Sequence, residues 1–207
     1  MTSRSKSDRR GYHHGDLANA VLDAALRLVE AKGADGLSMR EAARAVGVDP
    51  AAVYRHYDDK GAVLAALAAR GFAEMARQME TRAARASDAE ERFRAIGRAY
   101  VAFAVKHPAY FRVMFGPYGA GSDGARSVEG VGETRRTPYA LLLDALEELG
   151  RVRELRVRVD TAALPAWATV HGLASLMVDG AWRGGSQRER DAAVECVIDA
   201  AIAGICV

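Results

Sequence analysis

The sequence predicts an all-α protein of about nine helices, with a small N-terminal three-helix part followed by a larger helical part. Three observations carry this prediction. Apolar residues recur at three- and four-residue spacing along most of the chain. Helix-start signals, Ser-x-x-Glu pairs and an Asp-Pro step, stand in front of those stripes. The one stretch in which charge alternates with Val and Leu, Arg151 to Arg158, finds no second stretch to pair with as a sheet.

The first helix is expected from about Asp16 to Lys32, where Leu17, Val21, Ala25 and Leu28 share a face and Gly33 and Gly36 end it. Ser38 and Glu41 have the spacing of a capping box and open a second helix that stops near Gly47. Asp49-Pro50 opens a short third helix to about Tyr57, because Asp can cap and proline at the first helical position loses no hydrogen bond. After Asp58 and Asp59 a long fourth helix carries Leu64, Leu67, Phe72, Met75 and Met79 on one face.

Ser87 and Glu90 read as a second capping box before Phe93, Ile96, Tyr100 and Phe103, and His107-Pro108 separates that helix from a short one through Phe115. Gly116 to Gly132 holds six glycines and Pro117, the composition of a loop. Three further helices are expected: about Glu133–Leu149, Leu164–Trp182, and Ser186–Ile205, the last opened by Ser186-x-x-Glu189. The corresponding organisation is a basic tail over residues 1–15, a first domain over 16–60 and a second over 61–207.

Composition narrows the function. Half of the 207 residues are hydrophobic, enough for a sizeable core. With 29 Lys and Arg against 27 Asp and Glu the net charge is only +2, so any affinity for nucleic acid must come from a local surface. No uninterrupted apolar run approaches a membrane span and no signal peptide is read, so a cytoplasmic protein without membrane partners is expected. Cys196 and Cys206 lack zinc-site spacing and read as small apolar residues. The five histidines, His13, His14, His56, His107 and His171, have no carboxylate or cysteine spacing that would assemble a catalytic or metal centre, which argues against a helical enzyme and against a metal or other cofactor.

The second and third helices have the lengths and the tight glycine turn of a helix-turn-helix. Ala43 lets the two helices cross closely, Gly47 permits the turn, and Val53 plugs the space beneath the third helix. That leaves Arg40, Arg44, Ala51, Ala52, Tyr54, Arg55 and His56 facing outward, with Ser38 at the entry and Lys60 at the start of the fourth helix. Short helix pairs of this kind also occur in bundles that never meet DNA.

At this point the sequence resembles the tetracycline-repressor-like (TetR) regulators. The stretches that carry the likeness are Tyr12-His13-His14-Gly15-Asp16-Leu17, Leu37-Ser38-Met39-Arg40-Glu41-Ala42-Ala43, Gly47-Val48-Asp49-Pro50-Ala51-Ala52-Val53-Tyr54-Arg55-His56-Tyr57 and Asp59-Lys60. The resemblance implies that Tyr54, His56 and Lys60 hold phosphates, that Ala51, Ala52 and Arg55 face bases, and that Tyr57 is a core aromatic. Gly61 departs from the family's usual Glu and Asp49 from its usual Ser, the latter placing a negative charge where a phosphate would approach. Trp167-Ala168-Thr169-Val170-His171-Gly172-Leu173 is similar to a Trp…His-Gly segment of one branch of that family.

The expected function is a dimeric repressor that binds a near-palindromic stretch of double-stranded DNA and is released by a small-molecule effector. Dimerisation is expected through the last two helices, on the stripe of Val194, Val197, Ile198, Ala201, Ile202 and Ile205 with Gly172 and Gly180. The effector is expected among Phe72, Met75, Phe103, Phe111, Met114, Trp167 and His171, although the same spacing fits a plain core. An architectural DNA-binding protein without a ligand is the alternative, and the length of chain after Lys60 argues against it.

Overall fold

The computed structural model describes residues 14–117, 137–182 and 184–207. Among these residues it contains nine α-helices and no strand. Most of the expected tail and most of the Gly116–Gly132 segment lie outside the described residues. The chain forms two compact units that divide between Val63 and Leu64.

In the first unit, α1 (His14–Lys32), α2 (Met39–Val46) and α3 (Pro50–Tyr54) pack on a small core of Val21, Ala25, Val29, Met39, Ala43 and Val53. Ala43 and Val53 are fully buried, as a close helix crossing requires. Gly47 ends α2 with φ 74°, and its N–H returns to the carbonyls of Ala43 and Arg44, the left-handed cap that glycine adopts without a Cβ penalty. Asp49 caps α3 by accepting from the Ala51 N–H at 2.8 Å. The expected Ser38 capping box is only half formed. Ser38 Oγ accepts from the Glu41 N–H, but the Glu41 carboxylate turns away to Lys32 Nζ at 2.9 Å, where a full positive charge outcompetes a backbone amide.

Helix α4 (Lys60–Ala83) begins in the first unit and continues into the second. Asp59 accepts from the Ala62 N–H at its entry. Helix α5 (Ala89–Lys106) is capped by Asp88, which accepts from the Glu91 N–H at 2.8 Å, while Ser87 only donates to Asp88. The expected Ser87–Glu90 box is therefore shifted by one residue, since a carboxylate is the stronger acceptor. Pro108 opens α6 (Pro108–Phe115). Then come α7 (Pro138–Val152), α8 (Val159–Val178) and α9 (Gln187–Ile205), the last with both halves of the Ser186–Glu189 box in place. Helix α5 lies at the centre of this unit and packs against α6, α7, α8 and α9.

Three expectations change. Helix α8 starts five residues before Leu164 and carries Pro165 in its interior, where the chain tolerates the missing N–H within the first two turns. The Arg151–Arg158 stretch does have a partner, the chain's own end. Leu155 and Cys206 form an antiparallel bridge, with Arg156 N–H to the Ile205 carbonyl and Val207 N–H to the Glu154 carbonyl, both at 2.9 Å. Helix α8 is also long and apolar enough to cross a membrane by length and composition alone, with mean hydropathy 1.2 and one third of it buried. A search for an unbroken apolar run misses it because Asp160, Thr169 and His171 interrupt the run.

Candidate functional site

Two places on the chain bring chemistry-bearing side chains together. The first is the outer surface of α2 and α3. Arg40 and Arg44, one turn apart on α2, are exposed, as are Ala51, Tyr54 and Arg55. Ser38, Ala52, His56 and Lys60 are half-buried. Lys60 Nζ donates to the Asp35 carbonyl at 2.7 Å, which ties the start of α4 to the turn before α2. Tyr57 is half-buried and its hydroxyl donates to the Ala18 carbonyl at 3.4 Å, anchoring the end of the motif on α1. Exposed guanidinium groups over a close-packed helix pair make a surface suited to a polyanion.

The second place is a partly open apolar cavity in the second unit with about 40 Å³ of free volume. Its walls come from α4 (Phe72, Met79), α5 (Ile96, Gly97, Tyr100), the end of α6 (Phe115), α7 (Tyr139, Leu142), α8 (Ala166, Trp167, Val170) and α9 (Ile198, Ala201). None of its lining residues is charged. Gly97 lets Ile198 approach closely: a Cβ in its place would lie 3.1 Å from Ile198 Cδ1, so that side chain would have to give way.

The polar corner of this cavity is Tyr100. Trp167 Nε1–H donates to its hydroxyl oxygen at 3.1 Å, and that oxygen lies 2.7 Å from His171 Nδ1. The directions of these bonds follow from the groups themselves. An indole N–H can only donate, so the tyrosine oxygen accepts from it. Tyr100 is almost fully buried and burial pushes its hydroxyl far above the usual tyrosine range, so it keeps its proton. A buried O–H without an acceptor costs roughly 1–3 kcal/mol, and Nδ1 is the acceptor it faces. The relay is therefore assigned the sense Trp167 to Tyr100 to His171, with the imidazole proton on Nε2. Burial also lowers the His171 pKa, which keeps the ring neutral and able to accept.

Of the expected ligand residues, Phe72 and Trp167 line the cavity, and His171 serves behind it through Tyr100. Met75, Phe103, Phe111 and Met114 do not line it, although all four are buried. Met114 lies instead over Gly71 of α4, where a Cβ would come within 2.6 Å of its sulfur, and Phe111 packs on the His171 ring at 5.3 Å. Tyr100, Phe115 and Tyr139 line the cavity in their place. Helical spacing marks all of these residues as apolar-facing and does not say which neighbour each meets. The expected dimer stripe changes too. Ile198, Ala201, Ile202 and Ile205 are buried within the subunit, and Ile198 and Ala201 line the cavity.

Residues 93–201 match the family model described as Tetracyclin repressor-like, C-terminal domain, and residues 21–67 match that of bacterial regulatory proteins, tetR family. The chain belongs to the TetR family of transcriptional regulators. The solved structure of a protein of unknown function from Rhodococcus sp. RHA1 is 31% identical, with TM-score 0.77, 96% of this chain and 100% of that one being covered. The uncharacterized HTH-type transcriptional regulator YobS of Bacillus subtilis is 29% identical over 92 residues, 44% of this chain, and the match spans 47% of that relative, about half its length. The Bacillus subtilis transcriptional regulator FadR, solved in complex with stearoyl-CoA, has the same fold at 14% identity and TM-score 0.68, with 90% and 98% of the two chains covered. The TetR assignment makes α2 and α3 a DNA-binding helix-turn-helix and the second unit the C-terminal regulatory domain.

The lowered His171 pKa has a consequence for stability. The unfolded chain protonates this histidine near pH ~6.5, whereas the folded ring takes up its proton only at lower pH. The contribution of the neutral ring is thus fully present above pH ~6.5 and is lost as pH falls from there toward the folded value. An NMR titration should place the His171 midpoint below that of a free histidine, with the proton of the neutral ring on Nε2. In His171→Gln the loss of stability between pH 7 and pH 5, followed by urea unfolding, should be smaller.

Proposed function

We propose that this protein is a dimeric repressor that holds a near-palindromic operator with α2 and α3 of each subunit and releases it when a small molecule occupies the cavity at Tyr100. The observation that carries the DNA half is the exposed set Arg40, Arg44, Tyr54 and Arg55 on a helix pair locked by the left-handed turn at Gly47. Arg55, Ala51 and Ala52 are assigned to base edges, where small residues allow close approach to the groove. Ser38, Arg40, Arg44, Tyr54, His56 and Lys60 are assigned to phosphates. Lys60 has three donors, so it can keep the Asp35 carbonyl and still reach a phosphate. The setting of such a protein is the cytoplasm.

The dimer surface is assigned to the outer faces of α8 and α9. Leu164, Ala168, Gly172 and Leu176 are spaced by four on α8 and all are exposed; Ala192, Cys196, Ala200 and Ala203 are exposed on α9. Two such faces stacked about a two-fold axis would make a four-helix interface and cover the apolar surface left open on α8. It would set two recognition helices about 34 Å apart, one turn of DNA.

Helix α4 supports a link between cavity and DNA surface. Lys60 is at its start, Phe72 lines the cavity, and Gly71 is pressed by Met114 of α6. An effector that moves α6 or Phe72 would move α4 and change the spacing of the two recognition helices. FadR shares the fold and was solved with a ligand bearing a long acyl chain, but the cavity here, at about 40 Å³, would have to widen greatly for such a chain.

Two measurements test the assignment. Lys60→Ala should weaken binding to operator and non-operator DNA alike and reduce the slope of log K against log salt by about 1. An unchanged slope rejects the phosphate role. Gly172→Glu should convert the dimer to monomers in sedimentation, because a Cβ there meets nothing within its own subunit while an unpaired carboxylate buried between subunits costs several kcal/mol. An intact mutant dimer rejects this interface.

A further inference from the structure

The cavity is partly open, and among the aromatic side chains that line it Phe115, Tyr139 and Trp167 are half-buried. Phe72, Phe93 and Tyr100 are buried from all sides, but Phe115, the last residue of α6, is only half-buried. Its ring centroid is 4.7 Å from that of His171, 5.4 Å from Phe72, 6.1 Å from Trp167 and 6.4 Å from Tyr100. The contacts with Phe72 and His171 are edge-to-face, the arrangement aromatic pairs favour. Helices α4, α5 and α8 thus build a box around one six-membered ring, and the protein fills it with its own. The free space beside that ring, about 40 Å³, is far below the roughly 150 Å³ that lets an apolar cavity take up benzene. Rotating Phe115 outward would empty a ring-shaped slot continuous with that space.

Two constraints define what can replace it. The lining has no charged residue, so an ion brought there would lose its hydration with no counter-charge. The polar corner has a fixed sense. The Tyr100 oxygen already accepts from Trp167 and gives its proton to His171, which leaves one lone pair and no free hydrogen. A ligand donor extends this chain of bonds, whereas a ligand acceptor would have to pull the Tyr100 proton away from His171.

We propose that Phe115 is a built-in stand-in for the aromatic ring of the effector, and that the effector is a small neutral aromatic molecule carrying one hydroxyl or N–H donor directed at Tyr100. This rests on the assignment of the cavity as the effector site. Ligand and Phe115 compete for one slot, so apparent affinity is reduced by the work of expelling the phenyl ring. Removing the ring removes that work and leaves a preformed site.

The test is calorimetric titration of the full chain and of Phe115→Ala and Tyr100→Phe with three matched probes, 4-ethylphenol, 4-ethylanisole and 4-ethylbenzoate. The wild type should bind the phenol at least tenfold more tightly than the anisole and show no benzoate binding. Phe115→Ala should raise phenol affinity at least tenfold, and Tyr100→Phe should reduce it to that of the anisole. If Tyr100→Phe does not fold, the phenol-to-anisole ratio in the other two proteins carries the donor claim. Phenol affinity that is unchanged or weaker in Phe115→Ala, absence of phenol binding to both proteins, or anisole or benzoate binding as tight as the phenol overturns the proposal. Operator release is scored separately. Phenol binding that obeys these ratios but leaves the operator bound sinks the effector assignment and keeps the ligand class; release by a benzoate alone keeps the effector assignment and sinks the class.

Discussion

The second unit is organised around one buried hydroxyl group and the two groups that bond it. Tyr100 on α5 is almost fully buried, and both groups that bond it, Trp167 and His171, stand one helical turn apart on α8. Sliding α8 by a single residue would break both bonds and strand a polar group in an apolar core, at a cost of roughly 1–3 kcal/mol for each group left unpaired. The register of α8 on α5 is thereby fixed. One turn earlier on α5, Gly97 admits Ile198 of α9, and Arg98 grips Glu195 of the same helix through two bonds of 2.5 and 2.9 Å. Together these contacts hold α8 and α9, which also pack on each other, against the central helix. Among the described residues no buried side-chain nitrogen or oxygen lacks a hydrogen-bond partner.

The same packing determines which surface α8 leaves open. Ala162, Ala163, Ala166, Val170, Leu173 and Ala174 face the core, while Leu164, Ala168, Gly172 and Leu176 do not. Both sets are apolar, so the helix has almost no amphipathic asymmetry to reveal its orientation. The long helix therefore combines an interior side, where Trp167 and His171 bond Tyr100, with the apolar exterior proposed as the contact with a second copy of the chain.

This explains what the residues disclosed and what they withheld. Signals that act within one turn of chain are legible: the glycine at 47, the Asp49-Pro50 start, the break at His107-Pro108 and the Ser186–Glu189 box all have the structural effect their chemistry dictates. Where two local donors or two local acceptors compete, the charged one decides, which is why Glu41 leaves its box for the Lys32 ammonium and the Asp88 carboxylate displaces Ser87. Choices made across the core are not legible. Ile198 belongs to an apolar stripe whether it faces α5 or a second subunit, and Met75, Phe103 and Met114 have the same spacing as Phe72 yet end in ordinary core. The role of Tyr100 is hidden for the same reason, because its partners lie 67 and 71 residues away along the chain. The helix-turn-helix, by contrast, is built almost entirely from neighbours in sequence, so its motif could be read directly.

What joins the two halves of a TetR-family regulator here is α4, which starts at Lys60 among the residues assigned to phosphates and continues to Phe72 and Met79 in the cavity wall. A single helix with a DNA contact at one end and a ligand contact in its middle can couple the two only if each ligand favours a different arrangement of it. Coupling of that kind is reciprocal by thermodynamic necessity. The most direct test is to titrate one small aromatic ligand into the free protein and into the protein saturated with operator DNA. The ligand should bind the operator complex more weakly, by the same factor, typically about 5- to 150-fold, by which it lowers operator affinity. Equal affinity for the two forms would contradict the account.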